Sequence, residues 1–239
     1  MSPELPLKRL AVTAAAVTAS ACPSAGLRAQ ESVPYRDAAR PVAERVQDLL
    51  GRMSLQEKFW QLYMSPGSLD DPSHEYSSGA FGLQVSMPPR VLADSSAGSL
   101  AAAHAARIND IQRYFVEETR LGIPIIPFDE ALHGLVRRGA TVFPQAIGLA
   151  ATWDTALVGT VAAAVATETR SRGIRQVLSP VVNLADDVRW GRVEETYGED
   201  PFLSSEMGRV FIEAFESRGI ITTPKHFVAK VGQGGRDSL

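Results

Sequence analysis

Residues 123–134 read IPIIPFDEALHG, an apolar run from Ile123 to Phe128 that ends on two adjacent acids and a histidine. The run is short, with Gly122 before it and charge after it, which is how a buried strand reads when it opens into a loop. Outward from it the same arrangement recurs. Apolar runs at Phe81–Val85, Ala146–Ala151, Gln176–Val182 and Ile220–Thr223 alternate with helical patterns at Leu100–Arg120, Thr155–Arg172 and Ser204–Arg218. Short strands alternating with long helices predict right-handed βαβ units and a parallel sheet. The expected fold is therefore α/β. About five strand–helix units stand against the eight of a closed (β/α)8 TIM barrel, so a barrel would be incomplete. An open doubly wound sheet is complete with five strands, and periodicity alone does not separate the two.

Before the first run, Pro41–Met53 carries Val42, Val46, Leu49 and Leu50 at helical steps, with Pro at the first turn. Ser54 and Glu57 form a capping box opening a second helix, Leu55–Tyr63. The Pro/Gly/Ser/Asp stretch Ser65–Ser78 is expected to be a loop. At the start, Lys8 and Arg9 precede an Ala-rich run from Leu10 to Ala21, with no acid between Leu10 and Gln30. That pattern predicts a signal peptide over residues 1–29, ahead of a partial barrel domain over 30–239, and a periplasmic or secreted protein. The run is too short for a permanent membrane span. Cys22 is a candidate lipid anchor, disfavoured because Ala19 stands where a lipobox usually carries Leu. It is the only cysteine, so no disulfide is expected.

Composition narrows the function. A formal net charge of -3 gives no electrostatic reason to expect nucleic acid as a partner. With 7% aromatic residues, a stacking platform for single strands is not expected either. The histidines, His74, His104, His133 and His226, are scattered outside any HExxH or HxH pattern, so no metal is expected. No GxGxxG, Walker or GxSxG sequence occurs, and no cofactor is expected.

Chemistry-bearing residues instead follow the apolar runs. Asp129, Glu130 and His133 follow one; Asn183, Asp186, Asp187, Arg189, Trp190, Arg192, Glu194 and Glu195 follow another; Lys225 and His226 end the last. In a parallel barrel those positions converge at the carboxyl face, and acids, cations and an indole suit a hydroxyl-rich ligand. Plainer readings stand beside this one. Asp129 and Glu130 fit helix caps, His133 a core histidine, and Lys225 the Schiff-base lysine of an aldolase-type barrel. Arg189, Arg192, Glu194 and Glu195 fit an ion-pair network holding a long loop.

Five runs in order resemble family-three glycoside hydrolases: EALHG (Glu130–Gly134), ATVFPQAIGLAATWD (Ala140–Asp154), RWGRVEETYGEDP (Arg189–Pro201), TPKHF (Thr223–Phe227) and GGRDS (Gly234–Ser238). The likeness spans roughly Arg36 to the end and implies the barrel alternative. It implies a retaining, exo-acting β-glucosidase or β-xylosidase acting on oligosaccharides, with Glu130, Arg192, Lys225 and His226 hydrogen-bonding the sugar hydroxyls. Glu at 130, where many glucosidases of the family carry Asp, is similar to the β-xylosidase branch and favours a pentose modestly. Two features depart from the family. Lys230 stands where relatives often have a small or amide residue. Asp237–Ser238 is followed by Leu239 rather than by the histidine of the hexosaminidase branch. The nucleophile and acid/base of the other branches have no counterpart in this sequence, so the chain is expected to be a fragment lacking them and to need the missing C-terminal part of the enzyme. A non-catalytic sugar-binding remnant is the alternative.

Overall fold

The computed structural model describes residues 33–70, 75–89 and 97–227. The proposed signal peptide with Cys22, and likewise His74, Lys230 and Gly234–Ser238, lie outside the described residues. Two compact units divide between Gly51 and Arg52. In the first, a 3-10 turn at Pro34–Arg36 leads into α1 (Val42–Arg52), close to the predicted bounds. There Asp48 accepts from the Tyr35 amide at 3.1 Å, tying turn to helix.

The second unit opens with α2 (Leu55–Trp60), shorter than predicted at its end. Its capping box is complete: the Ser54 hydroxyl accepts from the Glu57 amide and the Glu57 carboxylate from the Ser54 amide. Among the described residues four strands follow: β1 (Met64–Gly67), β2 (Gly82–Val85), β3 (Ile126–Asp129) and β4 (Gln176–Val177). They pair in parallel in the order β1-β2-β3-β4. Residues 221–225 lie parallel beside β4, with Val177 donating to Ile221 O at 2.9 Å and Val182 to Lys225 O at 3.0 Å. Each strand lies next to its sequence neighbour, with no reversal of direction across the sheet. A doubly wound sheet reverses at a switch point, so this order is that of a barrel.

The strand set differs from expectation in two places. Met64–Gly67 is a strand although it falls in the predicted loop, because β1 ends the described sheet and an end strand tolerates the missing N–H of Pro66. Ala146–Ala151, expected to be a strand, is instead α4 (Ala146–Ala150). Its buried residues Ala146, Leu149 and Ala150 fall at i, i+3 and i+4, and Ala and Leu are strong helix formers. A helix of five residues without a polar side chain has no polar face to reveal its period.

The remaining helices match the predicted pattern with shifted ends. They are α3 (Ala97–Arg113), continued by a π turn at Tyr114–Glu118, then α5 (Thr155–Ser171) and α6 (Pro201–Glu216). Asp154 and Asp200 cap α5 and α6 by accepting from Leu157 and Leu203 amides, and Pro201 sits at the first position of α6. In one cluster Ile108, Ile111 and Phe115 pack on Leu83, Val85 and Ile174. In another, Val165, Ala166, Phe211 and Phe215 pack with Val177 and Ile220. Phe115 and Phe215 are fully buried. Truncating either to Ala would cost about 3–5 kcal/mol.

Candidate functional site

The carboxyl ends of β3, β4 and residues 221–225 bring the sequence-predicted residues together. Asp129 ends β3 and is 1% exposed. It accepts from Arg137 Nε at 2.5 Å, from Gln84 Nε2 at 2.9 Å and from the Glu130 amide at 2.9 Å. No helix begins after it, so the capping role expected of this acid is replaced by one of bracing the loop. The Glu130 carboxylate meets Lys225 Nζ at 3.0 Å. The two residues are far apart in sequence but lie at the ends of strands in one sheet. Burial pushes the Glu130 carboxyl above its ordinary value, against the pull of Lys225.

The loop after β4 supplies the other half. Arg192 grips Glu195 with a two-bond fork, Nε to Oε1 at 2.6 Å and Nη2 to Oε2 at 2.5 Å. Both side chains are largely buried. Burial raises Glu195, but the hydrogen bonds and charge of Arg192 outweigh it and hold the carboxyl below its ordinary value. Arg192 Nη1 lies 3.1 Å from His226 Nε2, and His226 Nδ1 lies 2.8 Å from Asn183 Oδ1. The buried Trp190 stands edge-on to His226, at 6.0 Å between centroids, with the Arg192 guanidinium 5.9 Å from its ring. The charges of Glu195 and Arg192 both act on Glu130, which makes the two halves one electrostatic site.

Other candidates fall elsewhere. Arg189 pairs with Asp187 at the protein surface, 2.9 Å apart. His133 Nδ1 is tied to Phe143 O at 3.0 Å, in keeping with a structural histidine. Beside it Gly134 has φ +124°, and a Cβ there would run into the Thr141 carbonyl oxygen. The glycine of EALHG is thus required by the backbone. Asn183, Trp190 and Glu195 are recognisable in sequence only as members of a cluster. Gln84 and Ser179, whose hydroxyl accepts from the Ala131 amide, give no sequence signal because their partners are tens of residues away, and Arg137 gives none because an irregular loop brings it to Asp129. A second cleft of about 430 Å³ lies at the ends of β1 and β2, lined by Gly67, Ser68, Asp70, Ser86, Met87 and Arg107 among others. Arg107 there is engaged by Ser68, Asp70 and Ser86 O. Among the described residues no cluster of His, Cys, Asp and Glu is placed to hold a metal, and no helix is long and apolar enough to cross a membrane.

Strands in barrel order whose ends gather acids, cations and an indole define an α/β protein of barrel type with a polar site at its carboxyl face. The chain belongs to glycosyl hydrolase family 3: residues 88–238 match the family's N-terminal domain. It is 35% identical over 210 residues to β-glucosidase C of Emericella nidulans, covering 81% of this chain and 34% of that one. It is 32% identical over 220 residues to a periplasmic β-glucosidase/β-xylosidase of Dickeya chrysanthemi, covering 82% and 33%. A solved β-glucosidase from Erythrobacter marinus superposes with TM-score 0.66 at 32% identity, over 83% of this chain and 27% of that one. The chain thus spans about a third of the length of these two curated relatives.

Proposed function

We propose that the chain forms the sugar-holding part of a retaining, exo-acting β-glycosidase that removes glucose or xylose from the end of an oligosaccharide. Glu130, Arg192, Lys225 and His226 take the sugar's hydroxyls. The observation that carries this is the convergence of Glu130–Lys225 and Arg192–His226 at the ends of successive strands. Ionised acids accept from hydroxyls, while guanidinium and ammonium groups donate to them, so the mixture matches a ring bearing several hydroxyls. The Trp190 ring closes one flank of His226.

Retaining hydrolysis places two carboxyl groups about 5–5.5 Å apart across the bond, one as nucleophile. Glu130 and Glu195 are each committed to a cation, which suits holding rather than attack. The reading also takes residues 1–29 as a signal peptide, residues 30–239 as part of the barrel domain, and the location as periplasmic or secreted. The Dickeya relative, named as periplasmic, supports that location.

The test is calorimetric titration of the 239-residue chain with glucose and xylose, alongside hydrolysis of nitrophenyl β-glucoside and β-xyloside. The expected outcome is saturable binding of at least one sugar without turnover. Absence of binding from a folded sample would sink the sugar reading. Turnover at an ordinary glycosidase rate would reassign Glu130 or Glu195 to the chemistry.

A further inference from the structure

We propose that Asn183 is a positioning residue that fixes the proton of His226 on Nδ1, so that Nε2 accepts from Arg192 and the guanidinium is held as an oriented donor to the sugar. The sugar half of this inference rests on the reading above; the tautomer half does not.

Two groups at the site have a fixed hydrogen-bonding sense. The backbone N–H of His226 is always a donor, and it points at the Asn183 side chain with a separation of 3.1 Å. The Asn183 atom it meets must therefore be the carbonyl oxygen, which settles the orientation of the amide. That same oxygen lies 2.8 Å from His226 Nδ1, so Nδ1 must carry the proton. At the other end, a guanidinium has donors only. Arg192 Nη1, 3.1 Å from His226 Nε2, therefore requires a lone pair on Nε2. The two ends are independent and demand the same neutral tautomer. The opposite tautomer would aim N–H at N–H on one side and lone pair at lone pair on the other.

The consequence reaches Arg192. Its Nε and Nη2 are held by Glu195 and its Nη1 by His226, which fixes the guanidinium plane at three nitrogens. One N–H on each of Nη1 and Nη2 is left over from these three bonds, both directed by a group that cannot rotate. A donor fixed beforehand loses little entropy when a hydroxyl arrives. Trp190 edge-on to His226 limits tilting of the imidazole, which when charged also acts on Glu195.

The test needs no sugar at its first step. Long-range proton–nitrogen correlation spectra of the ¹⁵N-labelled 239-residue chain would report the His226 ring, assigned against His226→Gln. The expected pattern is a protonated Nδ1 and an unprotonated Nε2; a protonated Nε2 overturns the inference. Asn183→Leu removes the acceptor and should abolish the tautomer preference, while weakening glucose or xylose binding about tenfold. Asn183→Asp keeps an acceptor oxygen and should restore both, which a merely structural asparagine would not require. If Asn183→Leu fails to fold, the wild-type spectrum and Asn183→Asp still decide. If the wild type shows the Nδ1 proton yet binds neither sugar, the sugar reading fails and the Asn183–His226–Arg192 arrangement stands. Unchanged sugar affinity in a folded Asn183→Leu chain would overturn the positioning role.

Discussion

Two glutamates flank the same site, each beside a cation, and their protons are held in opposite ways. Glu130, at the end of β3, meets the ammonium of Lys225, and burial still leaves its carboxyl above the ordinary value. Glu195, in the loop after β4, meets the fork of Arg192, and the fork outweighs burial. Part of the difference is the charge of Glu195, which pushes Glu130 further up, and part lies in the cation. An ammonium is a compact point charge, whereas a guanidinium offers two parallel N–H bonds matched to a carboxylate. The Lys225 pair therefore leaves an acid that is easily recruited by a ligand, and the Arg192 pair leaves a fixed clasp.

The limiting case of burial without a counter-ion is His104, and it carries the largest expected effect. Its side chain is buried on α3, with Nε2 3.0 Å from Val85 O, while Nδ1 finds no partner among the described residues. Burial, helped by the charge of Arg137, pushes its pKa down to about 4. A base with a depressed folded pKa is protonated first in the unfolded chain. Stability is therefore intact above the unfolded value of 6.5 and is lost as pH falls toward 4. The loss attributable to this group is about 3 kcal/mol. Urea unfolding at pH 7, 5.5 and 4 should show it, and His104→Leu should remove that part of the pH dependence. An unchanged slope in the variant would mean that burial is not the governing term.

Next in size is Glu130→Ala, for which sugar affinity should fall about a hundredfold in calorimetry, since bonds to a charged acceptor are the stronger kind. The fold should lose little at neutral pH. A carboxyl whose folded pKa is raised costs stability when ionised, and that cost sets in as pH rises from 4.5 through the folded value. Glu195→Gln acts in the opposite sense. Its carboxyl is held low, so its contribution is present above 4.5 and is lost as pH falls through the lower folded value. The substitution should cost about 1–2 kcal/mol at pH 7. Carbon-detected titration of the two carboxyls should find Glu130 taking its proton at higher pH than Glu195. Sugar binding should fade with the first and not wait for the second. The reverse order would break the distinction between clasp and recruitable acid.

The sequence carries the α/β parallel-sheet class because alternation of apolar run and helix is a local pattern, while the barrel shows only in the order of the strands. It also carries the site, because motif residues following each run must gather once parallel strands are laid side by side. What stays hidden is whatever local pattern does not encode. β1 contains Pro66, which reads as a breaker until its end position in the sheet is known. α4 reads as a strand because its five residues form an unbroken run with no polar side chain. Asp129 reads as a cap because Arg137 is recognisable as its partner only after the loop has closed on itself. Asn183 reads as one polar residue among many until the His226 amide is seen pointing at it.

The smallest effect tests whether the clasp depends on the helix that follows it. Asp200 caps α6, its carboxylate accepting from the Leu203 amide at 2.7 Å, and Asp200→Ala should cost about 1 kcal/mol of stability. The loop between β4 and α6 is held by its own bonds. Arg192 grips Glu195, the Ala185 amide donates to Gly198 O at 3.0 Å, and the Thr196 hydroxyl donates to Val193 O at 2.8 Å. None of these passes through Asp200. Sugar affinity should therefore stay within about twofold of wild type while the unfolding midpoint drops, since the Arg192 plane is set before the helix begins. A parallel fall in affinity would make the α6 cap part of the site and would shift the fixing of Arg192 from the fork to the helix.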